Sequence, residues 1–170
     1  MDRPFDAVVI GAGIAGSSAA YALADKGWRV ALLDKETFPR HKACGEFLSP
    51  ESRQSLHALG LKEAVAVLKP AAIGSVRLHT DRGVSLEIPL PGTAMGISRF
   101  ALDAKLQAEA IGRGVSACFG AKVIGISASE GGYRIDAVSA ERERIRLDSR
   151  TVIGAWGRHP PDGSRNDATL

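Results

Sequence analysis

Apolar residues along the chain fall into short runs whose period changes from one to the next. Residues 6–10 (DAVVI) are a continuous, β-branched-rich run, the pattern of a strand buried on both faces of a parallel sheet. Residues 15–27 (AGSSAAYALADKG) place small and apolar side chains at helical spacing and end in Gly27, a helix stop. Residues 29–34 (RVALLD) form a second apolar run that closes on an acid. Strand, glycine turn, helix and strand together predict a βαβ unit with a right-handed crossover.

Beyond it the rhythm breaks. Residues 35–50 have no period and contain Pro39, Gly45 and Pro50. They predict a long loop, of the kind that is functional or mobile. Residues 50–69 predict one or two helices broken at Gly60. Residues 74–90 alternate on either side of TDRG, a hairpin signal. Residues 98–114 predict an amphipathic helix, with apolar positions at Phe100, Leu102, Leu106, Ala110 and Ile111 and Ser98 as N-cap. From 115 to 155 come five strand-like runs, VSACFG, AKVIGISAS, GYRIDAV, RIRLDS and RTVIGAW. The last residues, 158–170, have prolines and polar residues without period and predict an irregular tail.

Composition narrows the function classes. Apolar residues make up 45% of the 170 positions, enough for a packed core. The formal charge is +3, but the basic residues are scattered, and the densest group, ERERIRLDSR, mixes both signs. No nucleic-acid footprint is expected. The two cysteines, Cys44 and Cys118, are far apart, so neither a disulfide framework nor a zinc site follows. No signal-peptide or membrane-spanning pattern is read, and a cytoplasmic location is the default expectation, with peripheral membrane contact left open.

The segment GAGIAG, residues 11–16, follows the first predicted strand directly and opens the first helix. That context turns a weak motif into a dinucleotide-binding fingerprint. Gly11 serves the tight turn, Gly13 the approach of a pyrophosphate, and Gly16 close helix packing. Ile14 and Ala15 sit between them, where backbone N–H groups of a helix start face the phosphates. Asp34 ends the second strand 18 residues after Gly16, placed to accept hydrogen bonds from adenosine ribose hydroxyls and to repel a 2′-phosphate. Lys35 completes this cofactor set. The loop by itself suits FAD or NAD. The long loop, the hairpin and the meander interrupt the βα alternation of an NAD-linked dehydrogenase, and so favour FAD.

The stretches VVIGAGIAGSSAAYALADKGWRVALLDK, FPRHKACGEFLSP, SRFALDAKLQAEAIGRGV and RTVIGAWGRHP resemble the FAD-dependent group of geranylgeranyl reductases, p-hydroxybenzoate hydroxylase-type monooxygenases and flavin-dependent halogenases. CGEFLSP is most similar to the geranylgeranyl reductase-like branch. The resemblance implies an α/β, Rossmann-like FAD/NAD(P)-binding fold with a parallel sheet, an antiparallel β-meander and part of a substrate-domain hairpin. It implies an FAD-binding domain over 1–157, with 70–97 as a partial substrate-domain insertion whose strand edge is exposed and prone to aggregation. It further places Arg40, Cys44 and Gly45 near the ribityl chain or isoalloxazine, Arg99 at the phosphate–ribityl region, and Val123 beside the adenine through its backbone. Read without it, Arg40 and Arg99 are equally surface arginines, Cys44 a small buried hydrophobe, and Glu46 a solvated loop acid rather than a proton donor. His41, His57, His79 and Lys122 need no role. Trp156 stands where many similar proteins carry Asp.

The function expected is an FAD-dependent oxidoreductase, a reductase or a monooxygenase-like enzyme, with NAD(P)H as a candidate electron donor and a small, hydrophobic substrate. Similar proteins run on well past this chain's last residue, so an N-terminal half is expected. The alternatives are a non-catalytic FAD- or ADP-binding fragment and an NAD-linked dehydrogenase domain. No catalytic side chain and no metal ligand is read from the sequence.

Overall fold

The computed structural model describes residues 3–158 and Pro160. The elements are β1 (Phe5–Ile10), α1 (Ile14–Asp25), β2 (Val30–Asp34), β3 (Phe47–Leu48), α2 (Pro50–Ala58), α3 (Lys62–Ala66) and β4 (Ala71–His79). They continue with β5 (Ser85–Gly96), α4 (Arg99–Gly112), β6 (Ser116–Phe119), β7 (Lys122–Ser129), β8 (Gly132–Val138) and β9 (Arg144–Gly154). Two compact units result: one from residues up to Arg40 and from Asp103 onward, the other from His41 to Leu102.

The first unit is built on a six-stranded sheet in the order β6-β2-β1-β9-β8-β7. β6, β2, β1 and β9 are parallel, and β9, β8 and β7 continue as an antiparallel meander. The expected parallel sheet and meander are therefore one mixed sheet. Val8, Val9, Leu32 and Leu33 have no exposed surface, and burying each such side chain contributes about 1.5–3 kcal/mol. One cluster on this sheet joins Val8, Ile10, Ala31 and Leu33 to Val123, Ile135 and Ala137. The mixed-charge run lies on the meander, where Arg146 pairs with Asp136 at 2.9 Å and Arg134 with Asp148 at 3.1 Å.

The second unit holds a three-stranded sheet, β3-β5-β4, with α2 and α3. Ser49 caps α2 by accepting the Ser52 N–H, and Gly60, at φ +76°, separates α2 from α3. Leu56, Leu61, Val65 and Ala94 are buried. In the hairpin, Val76 pairs with Ile88 and Leu78 with Leu86, and all four are exposed. On the alternate position Arg77 donates to Glu87 at 2.7 Å and Ser75 donates to it at 2.7 Å. The Arg77 guanidinium, then the Ser75 hydroxyl, hold the Glu87 carboxyl below its ordinary range.

Four expectations are corrected. The hairpin is longer than 74–90, spanning 71–96. The loop 35–50 is not wholly irregular, because Phe47 and Leu48 pair with Gly96 and Met95. RIRLDS and RTVIGAW form a single strand, β9, because Ser149 at the polar interruption is buried with its hydroxyl donating to the Thr151 carbonyl at 2.7 Å. In α4, Phe100 and Ile111 are exposed, and the buried stripe is Leu102, Asp103, Leu106, Gln107 and Ala110, the i, i+4 rows of a helix. Ser98 does cap it, accepting the Ala101 N–H at 3.3 Å. Apart from Arg158 and Pro160, the expected tail lies outside the described residues.

Candidate functional site: the glycine loop and the end of β2

β1 ends at Ile10, and the chain turns into α1 through Gly11, Ala12 and Gly13. Gly11 has φ +107° and donates its N–H to the Leu33 carbonyl at 2.7 Å. A Cβ on Gly11 would lie 2.5 Å from the Ala155 carbonyl oxygen, and one on Gly16 would lie 1.7 Å from the Gly11 carbonyl oxygen. Gly16 thus serves the packing of α1 onto the loop itself. Gly13 is the N-cap of α1, without a side-chain cap, and the first turn holds no acid. Helix geometry leaves the N–H groups of Ile14, Ala15 and Gly16 without an intrahelical acceptor, so this end carries an uncompensated positive partial charge.

Ala12 is held on both sides. Its N–H donates to Asp34 Oδ2 at 2.7 Å, while its carbonyl accepts from Gln107 Nε2 at 2.7 Å and from the Ser17 hydroxyl at 3.1 Å. The other carboxylate oxygen of Asp34 accepts the Glu36 N–H at 2.9 Å. Asp34 therefore sits over the loop as a clamp, with lone pairs left on both oxygens. Its own carbonyl accepts the Ala121 N–H at 2.9 Å, which brings the start of β7 to the end of β2. Lys35 is exposed beside it.

The structure brings Gly11, Gly13, Ile14, Ala15, Gly16, Asp34, Lys35, Arg40 and Val123 into one unit. Val123 is buried in the sheet core and pairs with Ala137 of β8. The Arg40 guanidinium lies 5.5 Å from the centre of the Phe38 ring. Cys44, Gly45 and Arg99 belong to the second unit; Cys44 and Gly45 lie in an exposed segment, and Arg99 opens α4. Ser17 and Gln107 are absent from the sequence reading. Their only signal is a polar residue within a buried helical stripe. Trp156 folds back over the end of β9: a Cβ on Gly154 would lie 2.4 Å from its indole ring.

The second unit also contains a cavity of about 720 Å³ between α2, α3 and the Pro91–Met95 end of β5, lined among others by Arg53, Leu56, His57, Val65 and Met95. Among the described residues no group of three or more His, Cys, Asp or Glu could hold a metal ion, and no helix is long and apolar enough to cross a membrane.

The mixed sheet, the glycine turn and the acid at the end of β2 define an FAD-binding, Rossmann-like fold, and residues 6–57 match the model of the FAD dependent oxidoreductases. A solved flavoprotein/dehydrogenase from Cytophaga hutchinsonii shares the fold with a TM-score of 0.81 at 23% identity, over 91% of this chain and 40% of that one. The menaquinone reductase of Mycolicibacterium smegmatis is 33% identical over 98% of this chain and 39% of its own length. Squalene epoxidase 6 of Arabidopsis thaliana is 31% identical over 53% of this chain and 17% of its own length. The chain thus spans about two fifths of the menaquinone reductase that it matches almost end to end.

The residues present fit FAD. The uncapped, acid-free start of α1 suits its pyrophosphate, and the free lone pairs of Asp34 suit its ribose. Two buried polar atoms, Ser18 Oγ and Arg40 Nε, have no hydrogen-bond partner among the described residues, so water or a ligand is needed to satisfy them.

Proposed function

We propose that this chain is the cofactor-binding part of an FAD-dependent oxidoreductase acting on a small, hydrophobic molecule, with a quinone reductase as the favoured reaction. The observation that carries the reading is the start of α1, which has neither a side-chain cap nor an acid and lies under a carboxylate already anchored to the loop. Similarity to a menaquinone reductase along 98% of the chain favours a quinone over the squalene named for a relative matched along half of it. The geranylgeranyl reductase-like branch remains our finer assignment on the CGEFLSP segment.

In this reading the N–H groups from Gly13 to Gly16 bind the pyrophosphate and Asp34 orients the ribose. The backbone at Val123 flanks the adenine, and Lys35 adds positive charge at that end. Arg40 offers its unmet Nε to the flavin side, and Cys44, Gly45 and Arg99 complete the proposed cofactor residues. The second unit, with 70–97 at its centre, serves the substrate, and its cavity has the size and mixed lining of small-molecule sites. When bound, FAD supplies the hydride-transfer chemistry, with NAD(P)H as donor. The protein's part is to fix the cofactor and keep its reactive face dry.

The test is direct: purify the chain, record its visible spectrum, and quantify flavin released on denaturation. Near-stoichiometric FAD, bleached on addition of NAD(P)H and restored by a soluble quinone, is the expected result. A colourless protein that takes up no added FAD refutes cofactor binding. A yellow protein that NAD(P)H and quinone leave unchanged reduces the chain to a binding module.

A further inference from the structure

The peptide planes on either side of Ala12 are fixed by side chains from two distant parts of the sequence, and this determines where the loop's N–H groups point. A trans peptide is planar, with C=O and N–H opposed. The carbonyl of Ala12 is drawn toward Gln107 Nε2 at 2.7 Å and the Ser17 hydroxyl at 3.1 Å. The N–H of the same peptide belongs to Gly13 and must point the opposite way, out of the core. The plane before it is fixed likewise: Ala12 N–H is held by Asp34, so the Gly11 carbonyl is turned toward Gly16, whose missing Cβ leaves it room. Gln107 is 3% exposed and 95 residues from Ala12. A buried amide there stabilises α4 less than leucine would, since it must be desolvated. Hydrogen bonding to a carbonyl also polarises its peptide and strengthens the opposed N–H as a donor.

We propose that Gln107 is a positioning residue for the cofactor: by holding the Ala12 carbonyl inward it aims and strengthens the Gly13 N–H toward a pyrophosphate. The inference rests on the FAD reading above and adds to it a residue outside the glycine fingerprint.

The test uses the full chain with ADP and FAD as probes. Gln107→Met keeps the size of the side chain and removes the donor. Leu106→Val, at a neighbouring residue that is 1% exposed, perturbs the same helix without touching Ala12. We expect Gln107→Met to weaken FAD and ADP binding by about tenfold or more, the scale of one lost hydrogen bond, and to shift the phosphorus NMR resonances of bound ADP. Leu106→Val should lower the melting temperature and leave those resonances unchanged. If Gln107→Met binds like the wild type, or if both variants lose affinity only in proportion to their loss of stability, the positioning role is overturned while FAD binding stands. If the wild-type chain binds neither probe, the FAD reading fails and the inference with it.

Discussion

Gly16→Ala adds one methyl group where the structure has no place for it. The new Cβ would lie 1.7 Å from the Gly11 carbonyl oxygen, 2.9 Å from its carbon and 3.1 Å from Ala155 Cβ, whereas real Cβ atoms essentially never come within 3.0 Å. The obstruction is backbone, so no rotamer change relieves it. The helix must lift from the loop until 1.7 Å becomes at least 3.0 Å, which would strain the Ala12 hydrogen bonds. Overpacking of this kind costs about 1–3 kcal/mol or more, set against about 1 kcal/mol gained from alanine's helix propensity. Because the obstruction is backbone, the upper end of that range applies, and a net loss of about 2 kcal/mol is expected, a large share of a domain's stability. Two other glycines calibrate it. Gly112→Ala, with nothing within 4 Å and ordinary backbone, should lie within about 1 kcal/mol of wild type. Gly27→Ala, at φ +81° in open space, should cost about 1 kcal/mol. Urea unfolding followed by tryptophan fluorescence reads the first unit, since Trp28 and Trp156 both lie in it. A Gly16→Ala chain within about 0.5 kcal/mol of wild type, the scatter of ordinary surface changes, would refute the packing argument.

Asp34→Asn should weaken FAD and ADP binding and cost about 1–2 kcal/mol of stability, because its amide can accept only one of the two backbone N–H groups that the carboxylate now holds; calorimetry and urea melts check both. Leu32→Ala, fully buried in the parallel sheet, should cost about 2–5 kcal/mol in the same melts. Leu86→Lys replaces a side chain that is 57% exposed and should lower self-association in light scattering without loss of stability, since a lysine on an exposed strand discourages edge pairing. The Glu87 carboxyl titrates below its unfolded value, so its contribution is present above the unfolded glutamate range and lost as the pH falls through the folded pKa. Glu87→Gln should therefore flatten the acid side of the second unit's stability curve, read by circular dichroism.

The βαβ unit was legible because each of its signals is local: a continuous apolar run, glycines at fixed offsets, and an acid closing the second run. Gln107 was not legible, since its meaning depends on a partner 95 residues away and its neighbours look like an ordinary amphipathic helix. Phe100 and Ile111 were misplaced because either row of α4 offers an apolar stripe, and packing alone decides which is buried. β9 was divided in two at a polar run because nothing local shows that Ser149 finds its own acceptor.

The order of the sheet also shapes how the molecule is made. β1 pairs on one side with β2 and on the other with β9, Val8 lying opposite Val152. A chain emerging from the ribosome completes the β1–α1–β2 unit early, yet one flank of β1 stays open until residues near 150 appear. Pairings so distant in sequence form slowly, and the open flank is apolar. The Ala155 N–H that bonds the Ile10 carbonyl at 2.8 Å and the Ala155 carbonyl against Gly11 arrive with that last strand. The loop therefore takes its final shape only once β9 has paired, and until then the apolar flank of β1 is open to other partners.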